Sequence, residues 1–255
     1  MTTTIAVTGK GGVGKTALSS LIIRTLVDQA EGVILAVDAD PNLNLDTALG
    51  VRAEEAIGAV REEALQRGAA LPAGMSKAEY LEYRTRESLV ETPRFDFLAM
   101  GRPEGPGCYC FANSLLRQAL DRLTNQYRWV VVDCEAGLEH FSRRTTADID
   151  VLLVVADPTV RAVQTAARVV ALVAELQTQV KQTLLVLSRV RNGVPEGVAK
   201  AAGDLGLTVA GTIPQDDAIT DRDAAGEPLV DVPPDSAALA AVAELLRGAR
   251  VLAAP

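Results

Sequence analysis

Gly9-Lys10-Gly11-Gly12-Val13-Gly14-Lys15-Thr16 stands between an apolar run, Ile5–Thr8, and a stretch of three- and four-residue apolar spacing, Thr16–Gln29. It fits G-x-x-x-x-G-K-[ST] in the one context, strand before and helix after, that makes the pattern specific. Glycines let the backbone take conformations other residues resist, so the N–H groups from Gly11 through Ala17 can crowd around phosphate oxygens. The helix that follows directs the positive end of its dipole at the same anion. Lys15 is then expected to hold the β- and γ-phosphates and Thr16 to ligate Mg²⁺.

A phosphate loop of this kind needs a parallel sheet behind it, and the rest of the chain supplies one. Val33–Asp38, Phe95–Met100, Trp129–Asp133, Val151–Ala156, Leu184–Ser188 and Leu207–Ile213 are short runs of nearly continuous apolar, β-branched residues. Such continuity fits strands buried on both faces. Phe111–Asn125, Thr159–Leu176, Pro195–Leu205 and Asp235–Arg247 carry helical spacing between or after them. The expected fold is α/β, a doubly wound and mostly parallel sheet flanked by helices. Residues 51–93 interrupt the alternation with two charged helical stretches, Glu54–Gln66 and Lys77–Ser88, around a turn at Leu71-Pro72-Ala73-Gly74, and read as a helical insertion. A length of 255 residues suits a single domain over 1–255.

Charge and terminal sequence narrow the partners. With 25 Lys plus Arg against 33 Asp plus Glu, the net charge is −8 and no basic stripe is present, which argues against nucleic acid. The chain enters Thr4-Ile5-Ala6-Val7-Thr8 without a charged leader, and no apolar run approaches the roughly 20 residues that span a bilayer. A cytoplasmic protein without membrane attachment is expected. Three cysteines do not make a disulfide framework, so Cys108, Cys110 and Cys134 are better read as metal, redox or packing residues.

Lys10 is the unusual member of the loop. A lysine before Gly11-Gly12 resembles the deviant Walker A motif of the superfamily of nitrogenase iron protein, MinD, ParA and the arsenite-pump ATPase, within the SIMIBI class of P-loop NTPases. The resemblance implies that Lys10 reaches the phosphates held by a partner subunit, so that ATP brings two copies of the chain together. Asp38-Ala39-Asp40-Pro41-Asn42, closing the second strand, resembles the superfamily's switch I. There Asp40 would orient or deprotonate the attacking water and Asp38 would assist the Mg²⁺ shell. Trp129-Val130-Val131-Val132-Asp133 is an apolar strand ending in an acid, the Walker B pattern, with Asp133 placed to hold a water of the ion. The following Cys134-Glu135-Ala136-Gly137-Leu138-Glu139-His140 would be switch II and contains the only histidine. Asn-Lys-x-Asp is absent, which favours ATP over GTP. Relatives present an Asn-Arg or Asn-Lys pair to adenine, whereas here Ser188 stands where the asparagine is expected. Arg189, Asn192 or the backbone of Ile213-Pro214-Gln215-Asp216 remain as readers of the base.

Gly105-Pro106-Gly107-Cys108-Tyr109-Cys110 follows the third expected strand. Residues two apart on a strand face opposite ways, so both thiolates can meet one metal only where the backbone turns, as Gly-Pro-Gly allows. Two sulfurs are half of a tetrahedral soft-metal site, which a twofold dimer would complete as Cys₄. Sequence chemistry alone leans to Zn²⁺. Together, Ala99-Met100-Gly101-Arg102-Pro103-Glu104 leading into this pair, the deviant loop, Asp38–Asn42 and Asp133–His140 resemble the CooC family of nickel-insertion ATPases. That resemblance implies a homodimer with Ni²⁺ or Zn²⁺ at an interfacial Cys108/Cys110 site, serving carbon monoxide dehydrogenase or acetyl-CoA synthase. Two other classes carry the same loop: MinD- or ParA-like positioning ATPases and an iron–sulfur electron-transfer ATPase like the nitrogenase iron protein.

Overall fold

A computed structural model describes residues 1–66, 74–101, 118, 120–135, 148–175 and 179–253. Its frame is an eight-stranded sheet: β1 (Thr3–Gly9), β2 (Ile34–Asp38), β3 (Val90–Glu91), β4 (Asp96–Ala99), β5 (Trp129–Asp133), β6 (Ile149–Ala156), β7 (Val180–Val190) and β8 (Val209–Pro214), in the order β3-β4-β2-β5-β1-β6-β7-β8. Every pairing is parallel except β3 with β4. The doubly wound, mostly parallel α/β fold expected from the sequence is therefore the fold observed.

Alternation along the central strands divides their side chains between two cores. Ile5, Val7, Trp129 and Val131 join Leu18, Leu21 and Ile22 of α1 (Lys15–Gln29) and Leu239, Val242 and Leu246 of the last helix, Ala237–Gly248. Ala6, Val130 and Val132 join Val163, Ala166 and Val169 of a helix at Val160–Glu175 and Val198 and Ala202 of one at Glu196–Asp204 on the opposite face. Each large aliphatic side chain taken wholly out of water contributes about 1.5–3 kcal/mol, so helices that cover both faces hold the sheet as a middle layer. No described helix is long and apolar enough to cross a membrane.

The segment 51–93 is helical as expected, with α3 (Ile57–Gln66) and α4 (Lys77–Glu87), but it closes in the short antiparallel strand β3. Ser76 caps α4 by accepting from the Glu79 N–H, while the Glu79 carboxylate accepts from the Ser76 N–H. Arg84 ties the insertion together through Glu55 at 2.9 Å and Glu63 at 2.8 Å. Two further helices were not legible in the sequence: α2 (Leu45–Leu49), and a helix at Asp217–Ala225. In chain order, with α1 to α4 above, Val160–Glu175 is α5, Glu196–Asp204 is α6, Asp217–Ala225 is α7 and Ala237–Gly248 is α8.

Candidate nucleotide site

Strands β1, β2 and β5 are neighbours and end together, which brings three expected elements to one edge of the sheet. The pairing of β2 with β5 sets Asp38 beside Asp133. At the end of β1 the chain turns through residues 10–14 into α1, and Lys15 lies buried at the helix start. No side chain caps this helix and its first turn holds no acidic residue. A bare helix start beside a buried cation is suited to an anion.

Asp133 is gripped from α1. The Thr16 hydroxyl donates to one carboxylate oxygen at 2.6 Å and the Ser19 hydroxyl to the other at 3.1 Å. Ser19, one turn after Thr16 on the same helix face, was not singled out in the sequence, although the three-residue spacing contains the signal. Burial pushes the Asp133 carboxyl up to about 6 against the pull of Thr16 and Lys15. Burial likewise raises Asp38 to about 7, aided by the neighbouring charge of Asp133. The Asp38 oxygens accept from the backbone N–H of Asp40 at 3.0 Å and of Leu45 at 2.9 Å. The Asp40 carboxylate in turn accepts from Asn42, through the backbone N–H at 2.9 Å and the side-chain amide at 3.0 Å. Lys10 is exposed and forms no ion pair among the described residues.

A cavity of about 880 Å³ joins the loop to the far strands. Gly11, Gly12 and Thr16 line it with Asp40 and Asn42, and so do Ser188, Arg189, Pro214, Gln215 and Asp216. Val13 is buried instead, its carbonyl accepting from the Ser188 hydroxyl at 2.7 Å. Ser188 therefore braces the phosphate loop, and a base reader is not needed to explain it. Arg189 adopts a left-handed backbone at φ 56 and its guanidinium donates to Asp157 at 2.5 Å. Arg191 donates to the Gln215 side chain at 2.7 Å. Asp216 starts α7, accepting from the Ala218 N–H, and also accepts from the Ser236 hydroxyl at 2.7 Å and the Ala238 N–H at 3.1 Å at the start of α8. Burial raises its carboxyl, but those hydrogen bonds outweigh burial and hold it below the usual range.

A buried lysine, an uncapped helix start and glycine N–H groups fit a polyphosphate, and the hydroxyl of Thr16 against the Asp133 carboxylate fits a hard cation that takes oxygen ligands. Residues 4–229 match the family described as the CobQ/CobB/MinD/ParA nucleotide binding domain. The chain belongs to this family. Among relatives in the CobQ/CobB/MinD/ParA family, an uncharacterized ATP-binding protein of Methanocaldococcus jannaschii is 44% identical over 243 residues, covering 94% of this chain and 96% of its own. The carbon monoxide dehydrogenase accessory protein CooC of Rhodospirillum rubrum is 33% identical over 241 residues, with 90% of each chain covered. The cell division ATPase MinD of Pyrococcus furiosus shares the fold at a TM-score of 0.71 and 20% identity, over 98% of this chain and 99% of that one.

Cys108 and Cys110 lie outside the described residues, as do His140 and the rest of the expected switch II beyond Glu135. Cys134 is buried, burial pushes its thiol well up, and its nearest partner is the Val132 carbonyl at 3.9 Å. These are the surroundings of a packed thiol.

Proposed function

We propose that this chain hydrolyses ATP between two copies of itself and uses the cycle to deliver a metal ion, nickel in the first instance, to a carbon monoxide dehydrogenase or acetyl-CoA synthase. The observation that carries the hydrolytic part is the meeting of Lys15, Thr16 and Asp40 on a single cavity, with the buried Asp133 carboxylate accepting from Thr16 behind it. Backbone N–H groups of residues 11–17 cradle the phosphates and Lys15 neutralises the charge that grows on the leaving oxygens. Thr16, with Asp133 behind it, would hold Mg²⁺, which when bound supplies charge neutralisation to the phosphate oxygens. Asp40 orients a water on the γ-phosphorus once it gives up its contacts with Asn42. Lys10, exposed on the loop, enters the partner's site. Adenine is held by Arg189 and by the backbone of Pro214, Gln215 and Asp216.

Support for metal delivery comes from Cys108-Tyr109-Cys110 and from the 33% identity to a protein named for carbon monoxide dehydrogenase. In this reading nickel is cargo, held by Cys108 and Cys110 of two subunits. ATP changes its affinity because the ATP-bound dimer and the nucleotide-free protein hold the thiolates differently.

Sedimentation with and without ATP, run beside anaerobic nickel and zinc analysis, tests both parts. Wild type is expected to dimerise with ATP and bind about one metal per dimer, in keeping with a four-thiolate site shared by two subunits. Lys10→Ala should remain monomeric, and Cys108→Ala with Cys110→Ala should lose the metal and keep the nucleotide. Equal metal binding by the double variant would end the cargo reading. A MinD-like positioning ATPase would instead bind vesicles with ATP, and an iron–sulfur carrier would purify brown with acid-labile sulfide.

A further inference from the structure

We infer that Asp38 is a positioning residue: its carboxylate staples both ends of the loop that carries Asp40, and it is not part of the magnesium shell. The inference rests on the reading of Asp40 as the residue that orients water.

The two carboxylates that end β2 and β5 sit in register, yet they face different donors. Asp133 takes hydroxyls, Thr16 on one oxygen and Ser19 on the other. Asp38 takes main-chain amides, Asp40 at 3.0 Å on one oxygen and Leu45 at 2.9 Å on the other. The difference favours Asp133 over Asp38 as the acid that serves a cation, because the amides hold Asp38 in place. A hydroxyl rotates and offers its lone pairs to a metal while the carboxylate behind it accepts another bond. A backbone N–H has no such freedom, so a cation that drew Asp38 away would leave two amides without acceptors, that of Leu45 in the core and that of Asp40 half-buried.

The staple shapes the loop it closes. Residues 39–44 begin and end on one side chain, because Leu45 is the first residue of α2 and Asn44 before it provides no side-chain cap. Inside, the Leu43 N–H donates to the Asp40 carbonyl at 3.2 Å, and Leu43 is held at φ 50, a left-handed conformation that leucine keeps only where its surroundings impose it. The far end is fixed to the phosphate-loop helix, since the Ser20 hydroxyl donates to the Ala48 carbonyl at 3.2 Å and Leu45 and Leu49 are buried in the core. The position of Asp40 relative to α1 is thus set by a chain of contacts that runs β2, Asp38, loop, α2, Ser20, α1.

Asp38→Asn keeps the size and turns an NH₂ toward one of the two amides, removing one bond of the pair. Three readouts separate a staple from a metal ligand: amide hydrogen exchange in nucleotide-free protein, the Mg²⁺ concentration needed for nucleotide binding, and kcat. The expected result is slow exchange at Asp40 and Leu45 in wild type and loss of protection by about tenfold or more at one of the two in the variant, the scale of one lost hydrogen bond. The Mg²⁺ requirement should stay within about twofold and kcat should fall about tenfold with KM little changed, because the bond acts through Asp40 and not through the substrate. Asp133→Asn should do the reverse and raise the Mg²⁺ requirement. A raised Mg²⁺ requirement for Asp38→Asn with protection intact at both amides would overturn the inference. If the variant fails to fold, wild type alone decides, since rapid exchange at either amide excludes the staple and slow exchange at both supports it. Exchange and nucleotide binding need no turnover, so an inactive wild type would sink the hydrolysis reading while these two readouts still judge Asp38.

Discussion

Gly9, the last residue of β1 and the first of the loop, is the position where a single methyl group should do the most damage. Its φ is 147, and a Cβ placed on it would lie 2.3 Å from the carbonyl oxygen of Val155 on the adjacent strand β6. The obstacle is backbone in the middle of the sheet, so no flexible side chain can yield. Forcing a side chain into that backbone region costs about 1–3 kcal/mol. Pushing two central strands apart to relieve the clash costs about 1–3 kcal/mol more, by analogy with overpacked cores. Gly9→Ala is therefore expected to lose about 4 kcal/mol. Equilibrium unfolding in urea should show the midpoint falling by about 1–2 M for a slope of about 2–3 kcal/mol per molar. Gly11→Ala is the internal control. A Cβ there meets nothing within 4 Å, so its unfolding midpoint should not move while nucleotide affinity drops, because the same open space is where phosphate must approach. Equal midpoints for Gly9→Ala and wild type would refute the argument, since they would mean that β1 and β6 separate at no cost.

Ser19→Ala leaves one oxygen of a buried carboxylate unpaired and should cost about 1–2 kcal/mol in urea unfolding while raising the Mg²⁺ needed for nucleotide binding; unchanged values would remove Ser19 from the site. Asp216 has its carboxyl held low in the folded chain, so its contribution is present above the unfolded value of about 3.9 and lost as pH falls through the lower folded value. Asp216→Asn should be about 1 kcal/mol less stable at pH 7, allowing for its half-exposure, and the gap to wild type should narrow as pH falls below the unfolded value of about 3.9; a constant gap across that range would contradict the linkage. Arg189→Ala removes an exposed pair with Asp157 and should leave stability within about 1 kcal/mol, while ATP binding measured by calorimetry weakens about tenfold; unchanged affinity would give the base to the backbone of residues 213–216.

What could be read beforehand follows from how much each segment buries. Strands β1, β2, β5 and β6 are buried along nearly their whole length, so their apolar continuity was plain and their bounds came within two residues. Strand β7 begins four residues earlier than Leu184 because Val180–Thr183 is partly exposed and mixes Lys and Gln into the run. Helix α7 has no fully buried side chain, only Ala218 and Ile219 partly packed on the core, which leaves no apolar stripe to detect, although Asp216 before it and Gly226 after it, at φ 68, are the caps a helix needs. The site divides in the same way. Lys15, Thr16, Asp38, Asp40 and Asp133 were legible because a motif fixes each to a strand end or a loop. The partners that orient them, Ser19, Ser20 and Asn42, were not, because a hydroxyl or amide gains its role from what the fold brings near it. Ser188 shows the converse, since a position expected to read the base spends its hydroxyl on the Val13 carbonyl.

The same geometry explains why the site asks for a ligand. Asp38 and Asp133 are nearly inaccessible, stand on adjacent strands, and are faced by the single buried cation Lys15 among the described residues. Two acids and one base in a poorly solvated place are a net loss to the folded state, and apolar residues of similar size would serve the core better. The arrangement is stable only because each acid oxygen has one donor and because the loop and α2 are tied to the main core. A cation at Asp133, with phosphate against Lys15 and the bare start of α1, would complete the charge balance that the fold leaves open. Binding would then stabilise the folded chain in proportion to the logarithm of ligand concentration over its dissociation constant. The gain would be felt first in the loop of Asp40, which is tied to Asp38 and the Asp133 carbonyl at its root and to α2 at its end. That is how occupancy of the phosphate site would be transmitted to the surface where, under the proposed cycle, a second copy of the chain would dock.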